Sequence, residues 1–193
     1  MSTLHDASFG RVAYLTGEYP RASDTFIQRE IRALRSRGVI IVSCTVRRPR
    51  PDDAVSYDEW QAAEAAQTFS VYEAARKPLH LIGCHLRCLA RSPARYVETL
   101  RLALRSGRPG FKGLLYQIFY FAEAAVLADH LRKVGATHLH NHFGHQSCSL
   151  AMLGSAMSGV PFSFTLHGPH ELLEPYSWRL DLKAERARFV ACI

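Results

Sequence analysis

Apolar residues in this chain gather in short runs broken by polar segments that carry glycine or proline, the rhythm of alternating strands and helices. RVAYLT (11–16) has the β-branched and aromatic content of a buried strand, with no turn residue inside it. GEYPRAS follows as a loop. Ser23 or Asp24 is placed to cap a helix through TFIQREIRALRSR, whose Ile27, Ile31 and Leu34 share one face. Gly38 stops that helix, and VIIVSCTV (39–46) is a second continuous apolar strand. Strand, helix and strand in so short a compass predict a right-handed βαβ unit with parallel strands.

RRPRPDD then reads as a polar linker, 58–66 as a helix and TFSVY as a short strand. From Pro78 to Val134 the pattern is helical; Ser92-Pro93 ends one helix and opens the next, and Gly135 terminates the stretch. The α/β rhythm returns with ATHLHN as a strand and SCSLAMLGSAMSG as a helix capped by Ser147 and ended by Gly159. PFSFTLH is a strand stopping at His167-Gly168, and ARFVACI begins one more. The implied fold class is α/β, a Rossmann-like open parallel sheet with helices on both faces. Such sheets bind ligands at the carboxyl ends of their strands, near the topological switch point.

Composition adds three constraints. The chain's 193 residues fit one domain. No apolar run reaches the ~18–20 residues of a membrane span, and MSTLHDASFGR lacks the basic-then-apolar order of an export signal. Five dispersed cysteines read as free thiols of a reducing compartment, so a cytoplasmic location is expected. The net charge of +7 is concentrated between Arg76 and Lys112, where nine basic residues face the single acid Glu98. Such a surface suits an anionic partner, with a solvated helix face as the plainer alternative. No nucleic-acid motif accompanies it, and Tyr96, Phe111 and Tyr116 read as helix-face residues rather than a stacking platform.

Candidate chemistry centres on HLHNHFGHQSC (138–148). His138, His140 and His142 share one face of a strand, but a metal hydrolase of the H-x-H-x-D-H type needs an acid where His142 stands. A metal site is therefore the weaker reading. His80, Cys84 and Cys88 align on a helix and read as core thiols beside a surface imidazole. A nucleophile elbow fails because Ser147 falls one residue too late after Gly144, and the first βα loop carries Gly17 without the G-x-G-x-x-G pattern. What remains is a convergence of strand ends. Thr16-Gly17, His142 and His167 all lie at or just past carboxyl ends, where imidazoles can hydrogen-bond sugar hydroxyls or phosphates. His138 and His140 are expected to be structural, satisfied within the sheet or at its edge.

VAYLTGEYPRASDTFIQREIRALRSRGV resembles the opening of bacterial exopolysaccharide and colanic-acid-type glycosyltransferases of the GT-B fold, in retaining family 4. HLHNHFGHQSCSLAMLGSAMSGVPFSFTLHG resembles the middle of the same N-terminal domain, ending in its Thr-x-His-Gly turn, and ARFVACI resembles the strand that follows. The resemblance implies an acceptor-binding domain over 1–193, incomplete at its C-terminus. A donor domain with E-x7-E glutamates is absent, so the chain alone is expected to lack turnover. It implies a nucleotide-sugar co-substrate with no cofactor and no metal requirement. His142 and His167 match histidines facing the reacting sugar, and Thr16, Gly17, His145 and Gly168 match substrate-binding positions. It also gives the basic helices a role: Arg87, Arg91, Arg95, Arg101 and Arg105 would meet an anionic inner-membrane surface carrying a lipid-linked glycan acceptor. Expected partners are that acceptor, the membrane and a donor-domain polypeptide, with no nucleic acid. A non-catalytic binding module and a His-rich metal-dependent hydrolase are the rival readings.

Overall fold

The computed structural model describes residues 10–21, 23–50, 57–107, 110–168, 170–173 and 178–193. The end of the expected linker at Pro51–Asp53, Arg108 and most of the N-terminal segment lie outside them. Six parallel strands form one open sheet in the order β3-β2-β1-β4-β5-β6: β1 (Arg11–Glu18), β2 (Ile41–Arg47), β3 (Phe69–Ser70), β4 (Ala136–His142), β5 (Phe162–Leu166) and β6 (Val190–Cys192). This is the Rossmann-like α/β sheet that the apolar runs predict, and its order reverses between β1 and β4.

Period-two alternation gives the sheet two chemically different faces. Ala13, Leu15, Cys44, Leu139, Phe162 and Phe164 point to one side and build the main core. Against them pack α6 (Phe111–Lys133) and α7 (Gln146–Ser158), with α3 (Val71–Ala75), α4 (Pro78–Arg91) and α5 (Pro93–Ser106) behind. On the other side Tyr14 and Ile41 meet Ile27 and Ile31 of α1 (Thr25–Ser36) in a smaller cluster. Two short helices, α8 (His170–Leu173) and α9 (Leu180–Arg186), lie between β5 and β6 in sequence.

Local signals mostly act as their residue types dictate. Gly38, Gly135 and Gly159 take φ of +85°, +65° and +82°, which only glycine adopts without strain, and each ends a helix. Pro93 opens α5, where its missing N–H has no partner to lose. Four expectations need correction. β1 runs through Thr16 and Gly17 to Glu18, held by pairing with Arg47 of β2. TFSVY gives only a two-residue strand before α3 begins, because Ser70 caps that helix by accepting the Glu73 N–H. Ser147 is not the cap of α7: His145 occupies that position, and the Ser147 hydroxyl donates to the His142 carbonyl at 3.3 Å. Finally, α6 is long and apolar enough to cross a membrane by length and hydropathy, although half of the relevant window is buried in this core.

α2 (Glu59–Gln67) is tied to α1 and β2 through one buried carboxylate. Glu64 is fully buried and accepts from the Arg35 guanidinium at 2.6 Å, from the Ser43 hydroxyl and from Gln67. Burial pushes its carboxyl pKa up, but these hydrogen bonds outweigh that and hold it below the ordinary value. Replacing Glu64 by Ala takes away the arginine's carboxylate, leaving it the Ile41 carbonyl and Ser43 hydroxyl, and should cost up to about 3–5 kcal/mol in urea unfolding, whereas joint Arg35→Met, Glu64→Leu replacement should recover most of it. The wild-type contribution is present above the pKa of an unfolded glutamate and lost as pH falls below it.

Candidate active site at the strand ends

The loop joining β4 to α7 is held from four directions. Phe143 adopts φ +71°, a left-handed conformation that a bulky residue takes only when its surroundings impose it. Its N–H donates to the Thr165 carbonyl at 2.9 Å, and its carbonyl accepts from the Asn141 side-chain amide at 2.6 Å. Glu171, fully buried in α8, accepts the Gly144 N–H with one oxygen and the His167 N–H with the other, the latter at 2.6 Å. Lys183, 1% exposed in α9, donates to the Gly144 and His145 carbonyls at 2.7 and 2.9 Å. A Cβ on Gly144 would stand 2.7 Å from a Leu180 methyl and 2.9 Å from a Leu166 methyl, so a larger residue there would have to displace both leucine side chains.

On the α1 face, the β4 histidines form a polar ladder with β5. His140 pairs in register with Ser163 and His142 with Thr165. The His140 ring bridges the Ser163 and Thr165 hydroxyls at 2.8 and 3.1 Å, and His138 reaches Ser163 at 2.7 Å. Both are thus satisfied within the sheet. His142 is fully buried; its Nδ1 lies 2.9 Å from Nε2 of His167, while its Nε2 has no hydrogen-bond partner and sits 3.8 Å from a Glu30 carboxylate oxygen. The other Glu30 oxygen accepts from the Tyr14 hydroxyl at 2.7 Å. Burial, reinforced by the neighbouring imidazoles, pushes His140 down to about 4 and His142 down to about 3, so both are neutral at physiological pH. Burial also lowers His167, against the attraction of Glu171, Glu30 and Asp24.

Beside this cluster, at the carboxyl ends of β1, β2 and β4, lies a cavity of about 690 Å³. Thr16, Gly17 and His145 line it, as do Arg21, Arg47, Glu123 and the rings of Tyr72, Tyr116, Phe119 and Tyr120. A Cβ on Gly17 would meet nothing within 4 Å, which leaves the strand end open to a ligand. His145 packs 5.0 Å from Trp178. Glu123, only 9% exposed in the middle of α6, has its carboxyl pushed up by burial and drawn back by Arg47. No family model, curated protein or solved structure matches this chain.

The predicted site residues therefore fall into two neighbouring groups. Thr16, Gly17 and His145 share the cavity; His142 and His167 form a bonded pair outside its lining. Phe143 borders both, lining the cavity with its ring 4.6 Å from that of His167. Gly168 lies outside the cavity and accepts the Glu171 N–H at 3.3 Å. Sequence reasoning missed Glu30, Glu123, Glu171 and Lys183. Glu123 carried a readable signal, a lone acid inside the apolar run FYFAEAAVLA. Of the five basic residues, Arg87 is bonded to Asp129 at 2.8 Å and Arg95 donates to the Ser158 carbonyl at 3.3 Å, while Arg91, Arg101 and Arg105 are exposed. Cys84 and Cys88 are core thiols, and burial raises Cys84 to about 11.

Burial lowers the Lys183 ammonium to about 8 from 10.5. Between those values the unfolded chain binds more protons at this site than the folded one, so its contribution to stability rises with pH. The stability difference between wild type and Lys183→Met should accordingly grow in favour of wild type from about pH 8 to about pH 10.5, read by urea unfolding at several pH values. A difference that is flat across this window would show that the ammonium is not desolvated.

Proposed function

We propose that this chain is the acceptor-binding domain of a nucleotide-sugar-dependent glycosyltransferase for cell-surface polysaccharide. The observation that carries the reading is the cavity of about 690 Å³ at the switch point of a parallel sheet, where aromatic rings, two arginines and a buried carboxyl converge. Rings offer flat apolar surface to the C–H faces of a sugar, while Glu123, Arg21, Arg47 and Thr16 can fix its hydroxyls. In this reading His167 faces the transferred sugar from beside the cavity, across the Phe143 ring rather than from its lining, and donates to charge that develops in the transition state. His142, being fully buried, acts through His167 as a positioning residue. The donor sugar arrives linked to a nucleoside diphosphate held by a second domain; the nucleoside diphosphate leaves as the bond to the acceptor oxygen forms, and transfer with retention in this reading needs no metal.

A lipid-linked acceptor fits the outer helices. Leu79, Ile82, Leu86 and Leu89 form an exposed stripe at helical spacing along α4, Leu79 being 85% exposed. Phe111, Leu115 and Ile118 are exposed on the first turns of α6, with Arg91, Arg101 and Arg105 on the adjoining helices. Apolar side chains set among basic ones suit the interface of an anionic bilayer.

Two measurements test these statements. Saturation-transfer NMR against a panel of methyl glycosides should find a binder, and Tyr120→Ala or Glu123→Gln should weaken it by at least ~10-fold, the loss of one good contact. A panel without a binder, or binding untouched by both substitutions, refutes the acceptor reading. In flotation, the chain should rise with anionic vesicles and less with neutral ones. The triple Arg91, Arg101, Arg105→Ala variant should lose about 1 kcal/mol per residue. Equal recovery on both vesicle types removes the electrostatic part.

A further inference from the structure

We infer that Glu30, His140 and His142 form a binding site for one divalent transition-metal ion, zinc foremost by the chemistry of its donors. The β4 segment lacks an acid where a metal hydrolase would carry one, but the fold supplies a carboxylate from α1. One ligand atom from each of the three residues lies within 4.8 Å of the others, and His142 Nε2 is 3.8 Å from the Glu30 oxygen. A tetrahedral zinc ion with bonds of about 2.0–2.2 Å spaces its ligands roughly 3.4 Å apart. Closing the three groups on an ion therefore takes side-chain shifts of about an ångström and no new backbone.

The orphaned nitrogen points the same way. His142 Nε2 is buried with no hydrogen-bond partner, a cost that proteins rarely leave uncompensated. The groups around the donors already form an outer shell. His142 Nδ1 faces His167, the Tyr14 hydroxyl holds the far oxygen of Glu30, and His140 has hydroxyls at both ring nitrogens, so one can go on orienting the ring when the other turns to the ion. With Nε2 on the metal, Nδ1 of His142 carries the proton and donates to His167, fixing the tautomer of that ring. Glu30 is 41% exposed, so the fourth coordination position opens toward solvent, as in a His₂Glu centre. The site shares His142 with the transferase reading but does not depend on it, and its test measures metal rather than turnover.

The test titrates the chelator-treated full chain with Co²⁺, following its d–d absorption, and then displaces the cobalt with Zn²⁺. One equivalent should bind. Glu30→Gln should weaken it by at least ~100-fold and Tyr14→Phe by about 10-fold. His80→Asn, at the separate His80–Cys84 contact, should bind as wild type does. Circular dichroism melts confirm that each variant is folded, and the half-buried, near-isosteric Glu30→Gln is the safe one. Absence of a cobalt band in folded wild type overturns the site. So does a Glu30→Gln titration that superimposes on wild type, or a thiolate-to-cobalt charge-transfer band, which would place the ion on cysteine.

Discussion

The carboxylate of Glu171 accepts one N–H from the end of β4 and another from the end of β5, and every candidate catalytic group hangs from those two strand ends. Hydrogen bonds to a buried charge contribute roughly 1.5–3 kcal/mol each. That is enough to hold Phe143 in a backbone conformation costing on the order of 1–3 kcal/mol. Lys183 completes the clamp from the other side by binding the carbonyls of Gly144 and His145. Two groups with no direct part in the proposed chemistry thus set where His142, His145 and His167 stand.

The second organising fact is the contrast between the faces of the sheet. On the α6–α7 side, apolar side chains fill a conventional core. On the α1 side the central strands carry Tyr14, His138, His140, His142, Ser163 and Thr165, a polar surface that burial would penalise heavily if left unpaired. The parallel register helps meet that demand by setting His140 opposite Ser163 and His142 opposite Thr165, while the His138 ring reaches the Ser163 hydroxyl at 2.7 Å. His142 Nε2 is the exception within this ladder, with only the Glu30 carboxylate nearby. A chain that invests in such a layer spends stability that an apolar layer would have supplied, which is characteristic of a functional surface.

How much of this was legible in the sequence follows from the range of each interaction. The strands and the helices around them could be read because their signals are local: uninterrupted apolar runs, Pro93, and the glycines at 38, 135 and 159. Strand-end placement of His142 and His167 was legible for the same reason. The failures are long-range or a matter of single residues. Ser147 loses the cap position because α7 starts at Gln146, two residues before a Ser147 cap would place it, beside the clamped Gly144. Glu171 and Lys183 resemble surface charges in HELL and LDLKAER, and only the tertiary fold reveals that they are buried. Glu30 lies more than a hundred residues from its imidazole neighbours, so no spacing rule joins them.

Phe143 is the point where the two halves of the site meet, and its surroundings decide how they can communicate. Its ring borders the cavity on one side and His167 on the other. A mobile loop here would let a bound ligand rearrange the imidazoles. Gly144, however, is enclosed so closely by Leu166, Leu180 and Glu171 that an added methyl would have to displace the leucine side chains. Packed interiors of this kind switch between discrete states rather than deform by degrees. With its backbone bonded to Glu171 and Lys183, the loop is tied down on both sides, and the Phe143 side chain is the direct contact between a cavity ligand and His167.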